Sequence, residues 1–285
     1  MTTLPPTAFG LGSLPGTDLA QAADVVLSES PLPHIPQLPD RGVGSDLVGR
    51  TAAMLEIPVA CGPRGWRVAA RKRADADRME RDLDHLEELW HGKVDTVKVQ
   101  LAGPFTLAAE IEMANGHRMI TDPGALRDLT DALLEVCVGH RRDVERRFGA
   151  SVLQLDEPRL PEVVAGTLQG ATDFETIRAI PEPEETLARF GEHLLHTPML
   201  VDVPWLTCDP RRADKDALAR LLDAGTRIAI PVMAPRELYN LFDELQIDPA
   251  TTTVDVYAEP AATLVGTAAN YRAAWEMAEA LTVEV

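Results

Sequence analysis

Basic residues are scarce in this chain: 27 Lys and Arg stand against 45 Asp and Glu, a formal net charge of -18 at pH 7. A surface that acidic repels phosphate backbones and anionic headgroups, which argues against nucleic acid and membranes as partners. Cysteine is scarce as well. Cys61, Cys137 and Cys208 form no Cys-x-x-Cys pair and are too few for a disulfide scaffold, the usage of a reducing compartment. No run of ~18 apolar residues occurs, which excludes a spanning helix. The first residues, MTTLPPTAFG, lack a basic segment leading into an apolar stretch, so no secretory signal is visible. The expected location is the cytoplasm. Small-molecule partners stay open, because one local patch can oppose the global sign.

What is present is an ordinary globular composition, 45% hydrophobic over 285 residues, enough for a sizeable core. No composition break marks a linker, so residues 1–285 are expected to form one domain. Strand-like and helix-like patterns alternate. Apolar runs occur at 7–13, 95–103, 151–156, 198–205, 227–232 and 252–260, with a further extended segment at 64–72. Between them helical spacing is expected at 74–90, 124–147, 183–195, 213–223, 235–245 and 269–281. The stretch PLPHIPQLPDRGVGSD (31–46) is rich in proline and glycine and reads as a long loop.

This alternation predicts an α/β fold with a parallel sheet. An open dinucleotide-binding sheet would need G-x-G-x-x-G after its first strand. GLGSLPGT (10–17) has its third glycine at the wrong spacing, behind a proline. A TIM (β/α)8-type barrel suits the length better, with one strand eroded or missing as an alternative left open by the short second half.

In a barrel, the residues just after strands carry the chemistry. They are Gly12 and Ser13, then Gln100 with Gly103-Pro104, then Asp156 and Glu157, then Asp202, and last Asp255 with Glu259. Each also fits a plain turn, where such residues serve the backbone. Asp156 continues an apolar strand directly, so its charge needs a partner once desolvated. It suits an amino group or protonated ring nitrogen, whereas Glu157 suits a place on the rim, capping or pairing there. His34, in the proline-stiffened loop, is a candidate lid or substrate contact, or a histidine packed among prolines. Lys98 and Gln100 share a strand, and only one is expected to face the barrel interior.

Four stretches carry a resemblance: GLGSLPGTD, LPHIPQLPDRGVGSDLVGRTA, VKVQLAGPFTLAAEIEM and VLQLDEPRLPEVVAG, in that order over residues 9–166. Together they resemble the C-terminal catalytic barrel of cobalamin-independent methionine synthase and its short stand-alone, actinobacterial-type relatives. The uroporphyrinogen decarboxylase barrel shares a GPFT-like element, so the superfamily is the broader match. The resemblance implies a TIM barrel and methyl transfer from a methyl-folate, or another methyl donor, to a small thiol such as homocysteine. By the same resemblance Gly12 and Ser13 contact the amino acid substrate, and Asp156 holds its amino group. Glu157, His34 and Gln100 complete the candidate substrate-binding set.

The family activates its thiol on zinc, held by a His-x-Cys pair on one strand, a carboxylate on the next and a Cys-Gly cysteine near the C-terminus. Here none of the seven histidines has cysteine two residues later, and no cysteine follows Cys208. Asp202 and Cys208 are the remaining candidate ligands. His193 reads as a surface residue, His196 as a helix terminus, and Cys61-Gly62 lies at the wrong end of the chain. Cys137, on an apolar helix stripe, reads as buried and inert. Two functions are therefore open. One is a methionine synthase-like methyltransferase with an altered or degenerate metal site. The other is a non-catalytic, zinc-free descendant that keeps a small-molecule pocket or serves a protein interaction.

Overall fold

Short apolar runs that alternate sides build the central sheet, and amphipathic helices return the chain between them. The computed structural model describes residues 7–72, 77–170, 175–247 and 252–283. Its strands are β1 (Ala8–Gly10), β2 (Val59–Gly62), β3 (Gly65–Val68), β4 (Thr96–Ala102), β5 (Ile111–Glu112), β6 (Ala150–Asp156), β7 (Leu194–His196), β8 (Trp205–Thr207), β9 (Arg227–Pro231) and β10 (Val254–Ala258). Its helices are α1 (Leu19–Glu29), α2 (Leu47–Ala52), α3 (Arg78–Trp90), α4 (Pro104–Glu110), α5 (Pro123–Phe148), α6 (Leu160–Ala165), α7 (Glu184–Ala188), α8 (Lys215–Asp223), α9 (Pro235–Leu245) and α10 (Leu264–Val283).

Seven strands form one curled parallel sheet in the order β1-β10-β9-β8-β7-β6-β4. This is a TIM-type barrel with seven regular strands. The place between β1 and β4 is taken by residues 32–37, part of the segment that reads as loop in the sequence. On one side Leu32 N donates to Ala8 O (3.3 Å), Gln37 N to Gly12 O (2.9 Å) and Leu14 N to Gln37 O (2.8 Å). On the other, Lys98 N donates to Pro33 O (2.8 Å) and Ile35 N to Lys98 O (3.0 Å). Pro33 and Pro36 have no N–H, so only isolated bridges form, Ser13 with Gln37 and His34 with Lys98. The eroded strand is thus the second in the chain, not the one after Asp156.

Two expectations for the second half need correction. The helix expected at 183–195 is only α7, and Leu194–His196 is a strand. PMLVDVPW (198–205) is a turn-rich connection up to Pro204, whose prolines interrupt any ladder, and β8 begins at Trp205. β2, β3 and β5 form a separate three-stranded sheet.

Two apolar layers sandwich the barrel wall. Outward residues such as Val97, Val99, Leu101, Leu153, Leu155 and Val256 pack under the helices. Inward ones, Phe9, Leu32, Leu194, Trp205, Ala229 and Tyr257, form their own cluster, as the period of two requires. α3 buries Met79, Leu83, Leu86 and Trp90, the stripe read from its spacing. α5 starts where Asp122 accepts from Gly124 N (2.8 Å) and Ala125 N (3.0 Å), with Pro123 in its first turn. It stops at Gly149, whose φ of 102° and approach to Asp95 O leave no room for a side chain.

Candidate functional site

β6 runs into the turn Asp156-Glu157-Pro158, and there the two carboxylates part. Glu157 is fully buried. Its oxygens accept from Phe105 N (2.9 Å), Thr106 N (2.7 Å) and Thr106 Oγ1 (2.5 Å). Those amides open α4, whose N-cap is Gly103 and has no side chain to supply an acceptor. A Cβ on Gly103 would stand 2.2 Å from Glu157 Oε1. The GPFT and DEP strings are therefore two halves of one joint, a bare helix terminus and the carboxylate that caps it from another strand. Burial pushes the Glu157 carboxyl up to about 7, against the pull of those hydrogen bonds. Glu157 caps, one of the two roles expected for it, but fully buried at α4 and not on an exposed rim, and its oxygens are spent there.

Asp156 is free of that joint. Gln154 Nε2 donates to Asp156 Oδ1 (2.6 Å) and to Leu11 O (2.9 Å). Burial raises the Asp156 carboxyl above its usual range, while His196, Gln154, Lys98 and Arg50 oppose the rise. Asp156 lies level with His196 on the neighbouring strand. His196 Nδ1 pairs with Thr207 Oγ1 of β8 (2.9 Å), and the ring meets Tyr257 of β10 edge-on.

Deeper in the barrel stands Lys98, with no exposed surface. Its Nζ hydrogen-bonds Gln154 Oε1 and lies 5.3 Å from the centre of the Phe9 ring. Gln100 satisfies both amide atoms when its oxygen faces Lys98 Nζ (3.2 Å) and its nitrogen faces Ile35 O (3.2 Å). Lys98 and Gln100 thus meet on the same face, because residues two apart in a strand point the same way. Burial brings the Lys98 amine down to about 7, with Asp156 resisting.

The other expected residues divide. Gly12 has φ 126°, and a Cβ there would crowd the amides of Gln37 and Gln100 at 3.1 and 3.2 Å. Ser13, next to it, bridges to Gln37. His34 is fully buried and does not serve as a lid. Its Nε2 pairs with the Tyr271 hydroxyl of α10 (2.7 Å), and oxygens of Ile35 and Gln100 face Nδ1 (3.3 Å each). Nδ1 therefore carries the proton and Tyr271 donates to Nε2. Burial holds the ring neutral, with its pKa lowered to about 3. Asp255 sits at the opposite end of the barrel, paired with Arg227 Nε (2.6 Å) and bonded by Thr7 N (2.9 Å).

A cavity of about 570 Å³ opens at the strand C-termini, walled by His196, Thr207, Cys208, Asp209, Tyr257 and Glu259. Pro198, Met199, Leu200, Ala213 and Ala217 add apolar lining. Asp202 is exposed on the 198–204 connection and is not part of this wall. Cys208 is part of it, and burial with Asp209 nearby pushes its thiol up to about 12. Sequence reasoning took His196 for a helix terminus and missed Asp209 and Tyr257. A histidine closing the short apolar run Leu194-Leu195 was the signal available.

Fold and site together define a barrel protein with a pocket of mixed polar and apolar lining at the strand C-termini. Residues 85–175, about a third of the chain, match the family model of the cobalamin-independent synthase catalytic domain. The matched segment contains both the GPFT and DEP strings and ends before β7. No curated protein matches the chain. Among solved structures, a candidate lyase/mutase from Burkholderia cenocepacia J2315 is 15% identical, with 99% of this chain and 81% of that chain covered. Its TM-score is 0.32, which informs neither fold nor activity.

The family's zinc can be tested against the residues present. The strand after the DEP turn is β7, and it ends His196-Thr197-Pro198. A histidine stands in place, but proline, which offers no ligand atom, occupies the cysteine position of His-x-Cys. β10 runs out as Glu259-Pro260, also without cysteine. Among the described residues, no three His, Cys, Asp or Glu side chains are placed to hold a metal ion. The donor set does not fit a family-type zinc site.

Proposed function

We propose that this protein is a zinc-free, methionine synthase-like barrel that binds a small amino-bearing ligand at the mouth formed by β6, β7, β8 and β10. The observation that carries this reading is the end of β7, where His196-Thr197-Pro198 replaces the ligand pair that activates a thiol. Zinc binding would hold a thiol as thiolate at neutral pH. The binding half supports a ligand. Asp156 stands level with His196, which lines the pocket, and it has partners that favour its charge. Asp209 is paired with Arg211 (2.8 Å) and Arg212 (3.6 Å), whereas Glu259 walls the same cavity and suits a cationic head. Its volume matches an amino acid and a short apolar arm, which Pro198, Met199 and Leu200 would receive.

Untagged protein is expected to carry far less than one zinc per chain by mass spectrometry and to transfer no methyl group from methyl-folate to homocysteine. Calorimetry is expected to show L-homocysteine binding, weakened at least about tenfold by Asp156→Asn, since a lost charged hydrogen bond costs ~1.5–3 kcal/mol. Stoichiometric zinc with turnover would restore the methyltransferase reading. Unchanged binding in the variant would remove Asp156 as the anchor.

A further inference from the structure

Lys98 has no place in the pocket, yet a fully buried ammonium mid-strand is expensive unless its hydrogens are spoken for. Three partners meet it: the Gln154 amide oxygen, the Gln100 amide oxygen and the face of Phe9. The first of these has a consequence beyond Lys98 itself. An amide has one accepting and one donating end. With its oxygen held by a lysine that can only donate, Gln154 must turn its nitrogen the other way, onto Asp156 Oδ1 (2.6 Å) and Leu11 O (2.9 Å).

We infer that Lys98 is a positioning residue for the carboxylate beside the pocket: through the Gln154 amide it keeps Asp156 ionised and fixed in place for a cationic ligand. The inference rests on the reading of Asp156 as the ligand anchor. Without Lys98, the Gln154 amide can reverse and present its oxygen to Asp156, a contact that favours the protonated acid. The other charged or titratable groups around Asp156 are His196 from β7, Arg50 from α2 and Glu157 beside it. His34, His196 and Asp156 bear on Lys98. Arg50 is held by Gln100 O (2.7 Å) and so stays when Lys98 is changed.

Two variants test the link. Lys98→Met keeps the length of the side chain and removes its charge. Gln154→Leu leaves the lysine and cuts the connection. Carbon-detected NMR of the ligand-free protein reads the titration of the Asp156 carboxyl directly. Both variants are expected to move that titration to higher pH. Both should also weaken L-homocysteine binding at pH 7 about tenfold, with the loss shrinking as pH is raised past the new titration point. A merely structural lysine would give a loss that does not depend on pH. Asp156 titrating at the same pH in wild type and both variants would overturn the inference. Because the titration is read without ligand, that result is separate from any failure of L-homocysteine to bind.

Discussion

A carboxylate buried at the terminus of a seven-residue helix is an unusual cap, because Glu157 belongs to the turn after β6 and has no solvent contact. Its pKa, raised from 4.5 to about 7, makes the joint pH-sensitive. Between those values the folded protein keeps a proton that the unfolded chain has released. The group therefore withdraws stability as pH rises through the window, by about 3 kcal/mol in total. His34, lowered to about 3, and Lys98, lowered to about 7, act in the opposite sense, the first up to pH 6.5 and the second above pH 7. The contribution of Glu157 is consequently read by difference. Glu157→Gln cannot ionise, so denaturant unfolding of wild type and variant should diverge between pH 4.5 and 7, with the variant losing less stability. Parallel curves would show that the carboxyl titrates at its ordinary value.

At the scale of elements, the wall between β1 and β4 is the part that behaves least like its sequence. Residues 32–37 look like a loop because proline alternates with apolar residues, and pattern reading registers missing donors before it registers paired acceptors. The tertiary partners decide the matter: Ile35 N and Gln37 N both donate into the barrel wall. Hydrogen exchange should find these two amides protected like those of β4, and far slower than Asp40 or Gly44 downstream. Fast exchange at Ile35 and Gln37 would mean that the ring is open there. The same comparison explains what was legible elsewhere. Long amphipathic helices such as α3 and α9, and fully apolar strands such as β4 and β6, show their period without help from tertiary context. β7 and β8, three residues each, are too short to show one, and for that reason His196 was placed on the wrong kind of element. Asp156 could be read as a buried group in need of partners because a charge ending a buried strand is costly anywhere. Capping was among the roles read for Glu157, but which helix it caps was not legible, since that depends on a helix terminus about fifty residues earlier meeting it in space.

For the whole molecule, the decisive question is whether this barrel still activates sulfur, and its three thiols give a direct answer. Cys61 is exposed on the hairpin strand β2, Cys137 is buried on the inner face of α5, and Cys208 is buried in the pocket wall. Burial pushes both Cys137 and Cys208 up to about 12. Only a thiolate attacks an alkylating reagent, so at pH 8 neither buried thiol has a useful reactive fraction. Iodoacetamide on the native protein should therefore label Cys61 alone, and denaturation should bring the label to three per chain. Peptide mass spectrometry locates each site. Labelling of Cys208 at the rate of Cys61 would reveal a thiolate in the pocket, sustained by a partner that this arrangement of His196, Asp209 and Glu259 does not provide. The zinc-free reading would then fail at its root, because a pocket that holds one sulfur ionised could hold another. A silent Cys208 leaves a barrel whose acids receive a ligand and whose sulfur takes no part.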